Sequence, residues 1–192
     1  MTTSHQVILG SSSIWRRQVV ESLGYKCQYM SPDIDEKAIR HPDPEILTRM
    51  ISEAKAAALV PKIKEPSFLI TGDQVVTCEG VIREKPEDAE ECRTFLRSYR
   101  THPATCVSSL RVTDTSTGKF VEGTEKATQY FKEIPEELIE ELISHGDVMS
   151  CAGGFIIERM EPYLGDRIGH ESAIKGMPEI LLERLMQEIK SS

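Results

Sequence analysis

An α/β fold with a mixed sheet is predicted by three features of the sequence. Short apolar runs alternate with segments whose apolar residues recur every third or fourth position, the mark of strands alternating with amphipathic helices. Residues 67–76, Ser-Phe-Leu-Ile-Thr-Gly-Asp-Gln-Val-Val, form an apolar run of the kind found in strands covered on both faces. Residues 105–114 read as a strand on Val107, Leu110 and Val112. Ser116-Thr-Gly-Lys119 then turns the chain back into an alternating, antiparallel strand over 120–131.

Taken in order, Val7, Ile8 and Leu9 suit a buried strand, which Gly10 and three serines interrupt. From Ile14 the spacing becomes helical on Val19, Val20 and Leu23, with Gly24 as the stop. Residues 26–30 give a second short strand, and Ser31-Pro-Asp-Ile-Asp-Glu36 an acidic turn. Pro42 and Pro44 make a loop that starts a helix through Ile46, Leu47, Met50, Ile51, Ala54, Ala58 and Leu59, with Lys55 near its end. After the strand at 67–76, Cys78-Glu-Gly80 is a turn and 81–83 the return arm of a hairpin. A helix follows over 87–98 with Ala89, Cys92, Phe95 and Leu96 inside. Pro135 opens an acidic helix over 135–144. Residues 151–158 read as a glycine turn and a short strand, 162–169 as a loop, and 178–190 as the final helix.

At 192 residues the chain is read as one domain, 1–192, long enough for a core without staples. A net charge of −8 argues against a nucleic-acid polymer or an anionic membrane as partner, yet a few clustered cations could still hold a small polyanion. The five cysteines, 27, 78, 92, 106 and 151, contain no CxxC pair, so neither a zinc site nor a disulfide framework is expected. Reduced thiols in the cytoplasm are the simplest account. Met1 to Gln6 lead straight into the first strand, so no secretory leader is expected, and no apolar run approaches a membrane span.

Four local features could carry chemistry. Ser11, Ser13, Arg16 and Arg17 stand at a helix start, where unpaired N–H groups and the helix dipole suit an anion. An ordinary serine cap with solvated arginines is the alternative there. Glu36 lies in the acidic turn, Asp73 within an apolar strand where a carboxylate is costly without a partner, and Lys85 before Pro86. Two carboxylates and several cations suit metal-assisted phosphoryl or nucleotidyl chemistry, with Mg2+ as the typical ion. For Asp73 the alternative is a hydrogen-bonded structural carboxylate, and for Glu36, Lys55 and Lys85 a solvated surface charge. GxxxxGK[ST], GxGxxG and GxSxG are absent, and the five histidines are scattered.

In order, residues 9–17, Ile34-Asp-Glu36, Glu53-Ala-Lys-Ala56, Gly72-Asp-Gln-Val-Val76, Glu84-Lys-Pro86, Cys151-Ala-Gly-Gly-Phe155 and Gly176-Met-Pro178 resemble the Maf family of nucleotide pyrophosphatases. The resemblance implies an elongated, ITPase-like α/β fold with two lobes around a central cleft, often as a homodimer. It also implies hydrolysis of a nucleoside triphosphate between the α and β phosphates, with a divalent cation such as Mg2+ or Mn2+. Carried onto this chain, Asp73 matches the catalytic acid/base and Glu36 its partner carboxylate, the two being the metal-ligand candidates. Lys55 and Lys85 match lysines near the phosphates, and Ser11, Ser13, Arg16 and Arg17 the phosphate-gripping loop.

The chain departs from the commoner pattern at Ile14, Trp15 and Gln74, where proline, arginine and threonine are usual. Trp15 with Gln74 resembles the branch that cleaves 7-methyl-GTP rather than dTTP and UTP. Glu158 falls where that branch carries glutamate, and Arg159 stands where glycine is usual. The chemistry agrees: a cationic 7-methylguanine stacks well on an indole, and a carboxylate can accept from guanine N1–H and the 2-amino group. The alternatives are a packing role for Trp15 and a surface role for Glu158. At the level of function they are a dTTP/UTP pyrophosphatase, or a non-catalytic nucleotide-binding regulator of cell division.

Overall fold

In the computed structural model, which describes residues 5–191, the apolar run becomes β3 (Ser67–Cys78), an interior strand of a seven-stranded mixed sheet. The reading that Met1 to Ser4 run directly into the first strand lies outside the described residues, as does Ser192. On one side of β3, β1 (Gln6–Leu9) pairs parallel with it and with β2 (Cys27–Tyr29). On the other side β5 (Ala104–Asp114), β6 (Phe120–Phe131) and β7 (Leu164–Ile168) follow, each antiparallel to its neighbour. The sheet order is β2-β1-β3-β5-β6-β7, and β4 (Val81–Arg83) folds back on the far end of β3.

Parallel pairing of β1 with β3 stops at Leu9 and Ile70, whereas β3 pairs with β5 from Phe68 through Thr77. β3 therefore runs on past the end of β1, and its alternating side chains serve different layers on the two faces. On one face Phe68 and Ile70 pack with Leu9, with Val19 and Val20 of α1 (Ile14–Ser22), and with Leu182 and Leu185 of α6 (Glu179–Lys190). Farther along, Val76 joins a second cluster with Leu96 of α3 (Ala89–Ser98), Leu142 of α4 (Glu136–His145) and Phe155. On the other face Leu69 and Val75 meet α2 (Pro44–Leu59) through Leu59, Leu47 and Ile51. Asp43 caps α2, accepting from the Glu45 and Ile46 N–H groups at 2.8 and 3.2 Å, with Pro44 at the first helical position.

Two expectations are corrected. Residues 151–158 form no strand; they pass through 3-10 turns at Ala152–Gly154 and Ile157–Arg159. Phe155, Ile156 and Ile157 are buried by packing into the second cluster rather than by sheet pairing, which an apolar run alone cannot distinguish. Conversely, 162–169 is not all loop: Leu164–Ile168 is β7, an edge strand too polar and exposed to show an apolar period. The short helix α5 (Glu171–Ile174) also went unpredicted. All five cysteines are free, and among the described residues no helix is long and apolar enough to cross a membrane.

Gly153 takes φ +72°, and a Cβ there would lie 2.7 Å from Val76 Cγ2. Its carbonyl accepts from the Tyr99 hydroxyl at 2.8 Å and its N–H donates to the Glu84 carbonyl at 3.0 Å, so no shift of this turn is free. Gly153→Ala combines a left-handed backbone with a clash and should lower stability by about 2 kcal/mol, read as a fall in the midpoint of thermal or urea unfolding.

Candidate active site

A cavity of about 820 Å³ opens where β1 and β2 end and β3 continues. The loop after β1 with the first turn of α1 (11–16) and the turn after β2 (32–37) form one wall, and residues from 81–87, 150–152, 155–158 and 174–176 the other. Ligands of α/β sheets gather at this carboxyl-end position, where helix N-termini point inward.

Alternation along β3 sends Asp73 to the α2 face and Gln74 to the opposite face. Asp73 is 7% exposed. Its Oδ1 lies 3.0 Å from Lys55 Nζ, which also stands 3.1 Å from Glu36 Oε1 and donates to the Gly72 carbonyl at 3.2 Å. The ammonium's three donors are thus spent on three protein oxygens. Lys55, expected near the phosphates, lines the cavity and clamps the two carboxylates together. Burial pushes the Asp73 carboxyl above its usual range, against the pull of Lys55 and Arg16 toward the ionised form.

Arg16 is likewise committed. Its Nη1 donates to the Gly72 carbonyl at 2.7 Å and its Nε to the Gly176 carbonyl at 2.9 Å, with only 9% of the residue exposed. Burial lowers its pKa from the ordinary arginine value, with Asp73 and Glu36 opposing that shift. Gly72 is required where it stands, because a Cβ would fall 2.7 Å from Leu110 Cδ2 and 2.9 Å from the Ser109 carbonyl. Arg17, one residue further around α1, lies outside the cavity with its guanidinium 3.7 Å from the Tyr29 ring centroid. Neighbouring helix positions point about 100° apart, so of the two arginines expected to grip phosphate Arg16 lines the cavity and Arg17 does not.

Ser11 and Ser13 do line the cavity, as does the unpredicted Ser12. Ser13 Oγ caps α1 by accepting from the Arg16 N–H at 3.4 Å, and Ser11 Oγ accepts from the Ser13 N–H at 3.1 Å. The first-turn N–H groups of α1 have no acceptor within the helix. Lys85 is exposed on the opposite wall and makes no ion pair among the described residues. Two cations beside Glu36 lacked any periodic signal: Lys37 pairs with Glu87 and Arg40 with Glu84 across the rim, each at 3.3 Å.

At the other end Trp15 is half-buried against the second cluster and shares the cavity with Glu158. Glu158 Oε1 lies 3.0 Å from Lys175 Nζ, a contact made by the loop after the unpredicted α5. Gln74 Nε2 donates to Ser108 Oγ at 3.0 Å and to the carbonyls of Ala173 at 2.8 Å and Ile174 at 3.2 Å. The side-chain N–H groups of Gln74 are therefore occupied by the wall that carries Lys175. Burial raises the Cys151 thiol above its usual value, so this lining residue stays protonated.

Among the described residues no group of three His, Cys, Asp or Glu side chains converges on a point. The donors available are the carboxylates of Asp73 and Glu36, hard oxygens that suit Mg2+ or Mn2+ completed by phosphate oxygens and do not suit a closed zinc site.

Residues 6–189 match the family model described as Maf-like protein. The chain is 50% identical to a 7-methyl-GTP pyrophosphatase of Dictyostelium discoideum, covering 97% of this chain and 98% of that protein. It is 31% identical to a dTTP/UTP pyrophosphatase of Vibrio vulnificus, over 96% and 98% respectively. A solved structure of a HAM1 protein from Coxiella burnetii aligns at 10% identity with a TM-score of 0.45, covering 98% of this chain and 100% of that one.

Removing Lys55 strands a buried charge. Lys55→Met should cost about 3 kcal/mol in urea unfolding at neutral pH, and adding Asp73→Asn should recover most of that loss. Without the ammonium the folded-state pKa of Asp73 rises further above its unfolded value. The penalty is therefore present at high pH and shrinks as the carboxyl protonates on acidification.

Proposed function

This chain belongs to the Maf family, and from that membership we propose a nucleoside triphosphate pyrophosphatase that cleaves 7-methyl-GTP to 7-methyl-GMP and pyrophosphate. The observation that carries the base preference is Trp15 and Glu158 on one cavity, in a chain half identical to a protein of that name. The delocalised charge of 7-methylguanine favours stacking on the Trp15 indole. Glu158 accepts from the base's N1–H and 2-amino donors, a pair that uracil and thymine do not offer.

Ser11, Ser13 and the first-turn N–H groups of α1 hold the phosphates, and Lys85 offsets charge on the departing pyrophosphate. Asp73, kept basic by burial and aimed by Lys55, takes the proton from the water that attacks the α-phosphorus as the α–β bridging bond breaks. Asp73 and Glu36 would hold a divalent cation, which when bound supplies charge neutralisation on the phosphate oxygens. Arg16, on the cavity wall, locks Gly72 and Gly176 with two of its five N–H groups and leaves the rest for a phosphate oxygen.

A panel of 7-methyl-GTP, GTP, dTTP and UTP, assayed for monophosphate and pyrophosphate, tests this reading. We expect 7-methyl-GTP to exceed the others in kcat/KM by about tenfold or more. A preference for dTTP or UTP would refute the Trp15 and Glu158 argument, and binding without product would favour the regulator. Asp73→Asn should reduce turnover about 10³-fold while the circular-dichroism spectrum is retained. Chelation should abolish pyrophosphate release, and added Mg2+ or Mn2+ should restore it.

A further inference from the structure

Lys175 stands in the wall between the main cavity and a smaller one of about 390 Å³, and lines both. Its Nζ lies 3.0 Å from Glu158 Oε1 on one side and 2.7 Å from Glu171 Oε1 on the other. Glu171 is itself held by Arg167 Nη2 at 3.1 Å. The ammonium is thus fixed between two carboxylates, only one of which lines the main cavity.

The backbone that carries Lys175 is unusually well tied. Gln74 Nε2 donates to the Ala173 and Ile174 carbonyls, Arg16 Nε to the Gly176 carbonyl at 2.9 Å, and Ser108 Oγ to the Ala173 carbonyl at 3.4 Å. Gly176 follows at φ +83°, where a Cβ would fall 3.0 Å from Gln74 Oε1. Gln74 and Ser108 of the sheet and Arg16 of α1 therefore set where this lysine sits. Glu158 has no comparable support of its own. Its neighbour Ile157 is buried in the core, Arg159 is committed to Asp147 at 2.7 Å, and among the described residues Lys175 is the ion partner of Glu158.

A glutamate on a short turn samples several rotamers, and ordering it on binding costs affinity. We propose that Lys175 is a positioning residue for nucleobase recognition, holding Glu158 at Oε1 so that the carboxylate edge is presented to the N–H donors of the base. The inference rests on the reading that Glu158 meets the base. It extends that reading to a residue two elements away and gives Gln74 a role, as part of the support for Lys175 rather than as a contact to substrate. Burial alone would lower the Lys175 pKa, but its bonds to Glu171 and Glu158 outweigh that and raise it, so the clamp stays charged through the neutral range.

The experiment compares kcat and KM for 7-methyl-GTP and UTP in the wild type, Lys175→Met, Lys175→Arg and Glu158→Gln, with thermal melts as a control for folding. Lys175→Met should raise KM for 7-methyl-GTP about tenfold with a much smaller change in kcat, and should erode discrimination against UTP. Lys175→Arg keeps a cation in reach and should restore most of that discrimination; Glu158→Gln should match or exceed the effect of Lys175→Met. If Lys175→Met leaves discrimination intact while Glu158→Gln destroys it, the base reading stands and the positioning role is overturned. If Glu158→Gln also leaves it intact, the base reading falls and the positioning role falls with it. Equal losses on both nucleotides in Lys175→Met and Lys175→Arg would mark the residue as merely structural and overturn the inference as well.

Discussion

A carboxylate in the middle of a hydrophobic sheet is tolerable only if its surroundings are built for it, and much of this molecule is arranged to that end. Asp73 faces Lys55 from α2, and the carbonyl just before it accepts from both Lys55 and Arg16. These bonds join α1, α2 and β3, and Arg16 Nε, donating to the Gly176 carbonyl, adds the loop before α6. The glycine before Asp73 leaves no room for a side chain, because the neighbouring strand presses on that position. An isolated buried charge would be expensive, whereas one matched to a cation and hydrogen-bonded to it becomes an ordered reactive group.

This arrangement separates two tasks that cations in a phosphate site are usually asked to share. Lys55 and two of the five N–H groups of Arg16 are spent on the protein's own oxygens. Lys85 and the start of α1 are left facing the cavity. The interior pair fixes geometry; the exposed groups can follow a flexible triphosphate. Preorganised dipoles and charges of the first kind lose nothing to reorganisation when charge develops, which is where electrostatic catalysis gains most.

The fold was legible wherever burial imposes a period. β3, β5, β6 and helices α1 to α4 and α6 each carry an apolar pattern that matches their packing. The misses share one cause. β7 is an exposed edge, α5 spans four residues, and 153–157 is buried without pairing, so none has a period to read. Within the site, Asp73 announced itself by its cost in an apolar strand, and the serine loop by its place before a helix. Arg16 and Arg17 were indistinguishable in sequence, since one residue of helix rotation decides which enters the cleft. Lys37, Arg40 and Lys175 were invisible because only the meeting of distant segments gives them partners.

The ladder between β3 and β5 holds ten successive residue pairs from Phe68 to Thr77, spanning the whole distance between the two apolar clusters on that face. That ladder gives the molecule a continuous spine through its centre. Traffic into the cleft is left to the rim, where the Lys37–Glu87 and Arg40–Glu84 ties are solvated and each contributes about 1 kcal/mol or less. Exposed ion pairs at the rim are screened by salt, whereas the buried Lys55–Asp73 pair that aligns the reactive carboxylate is screened far less.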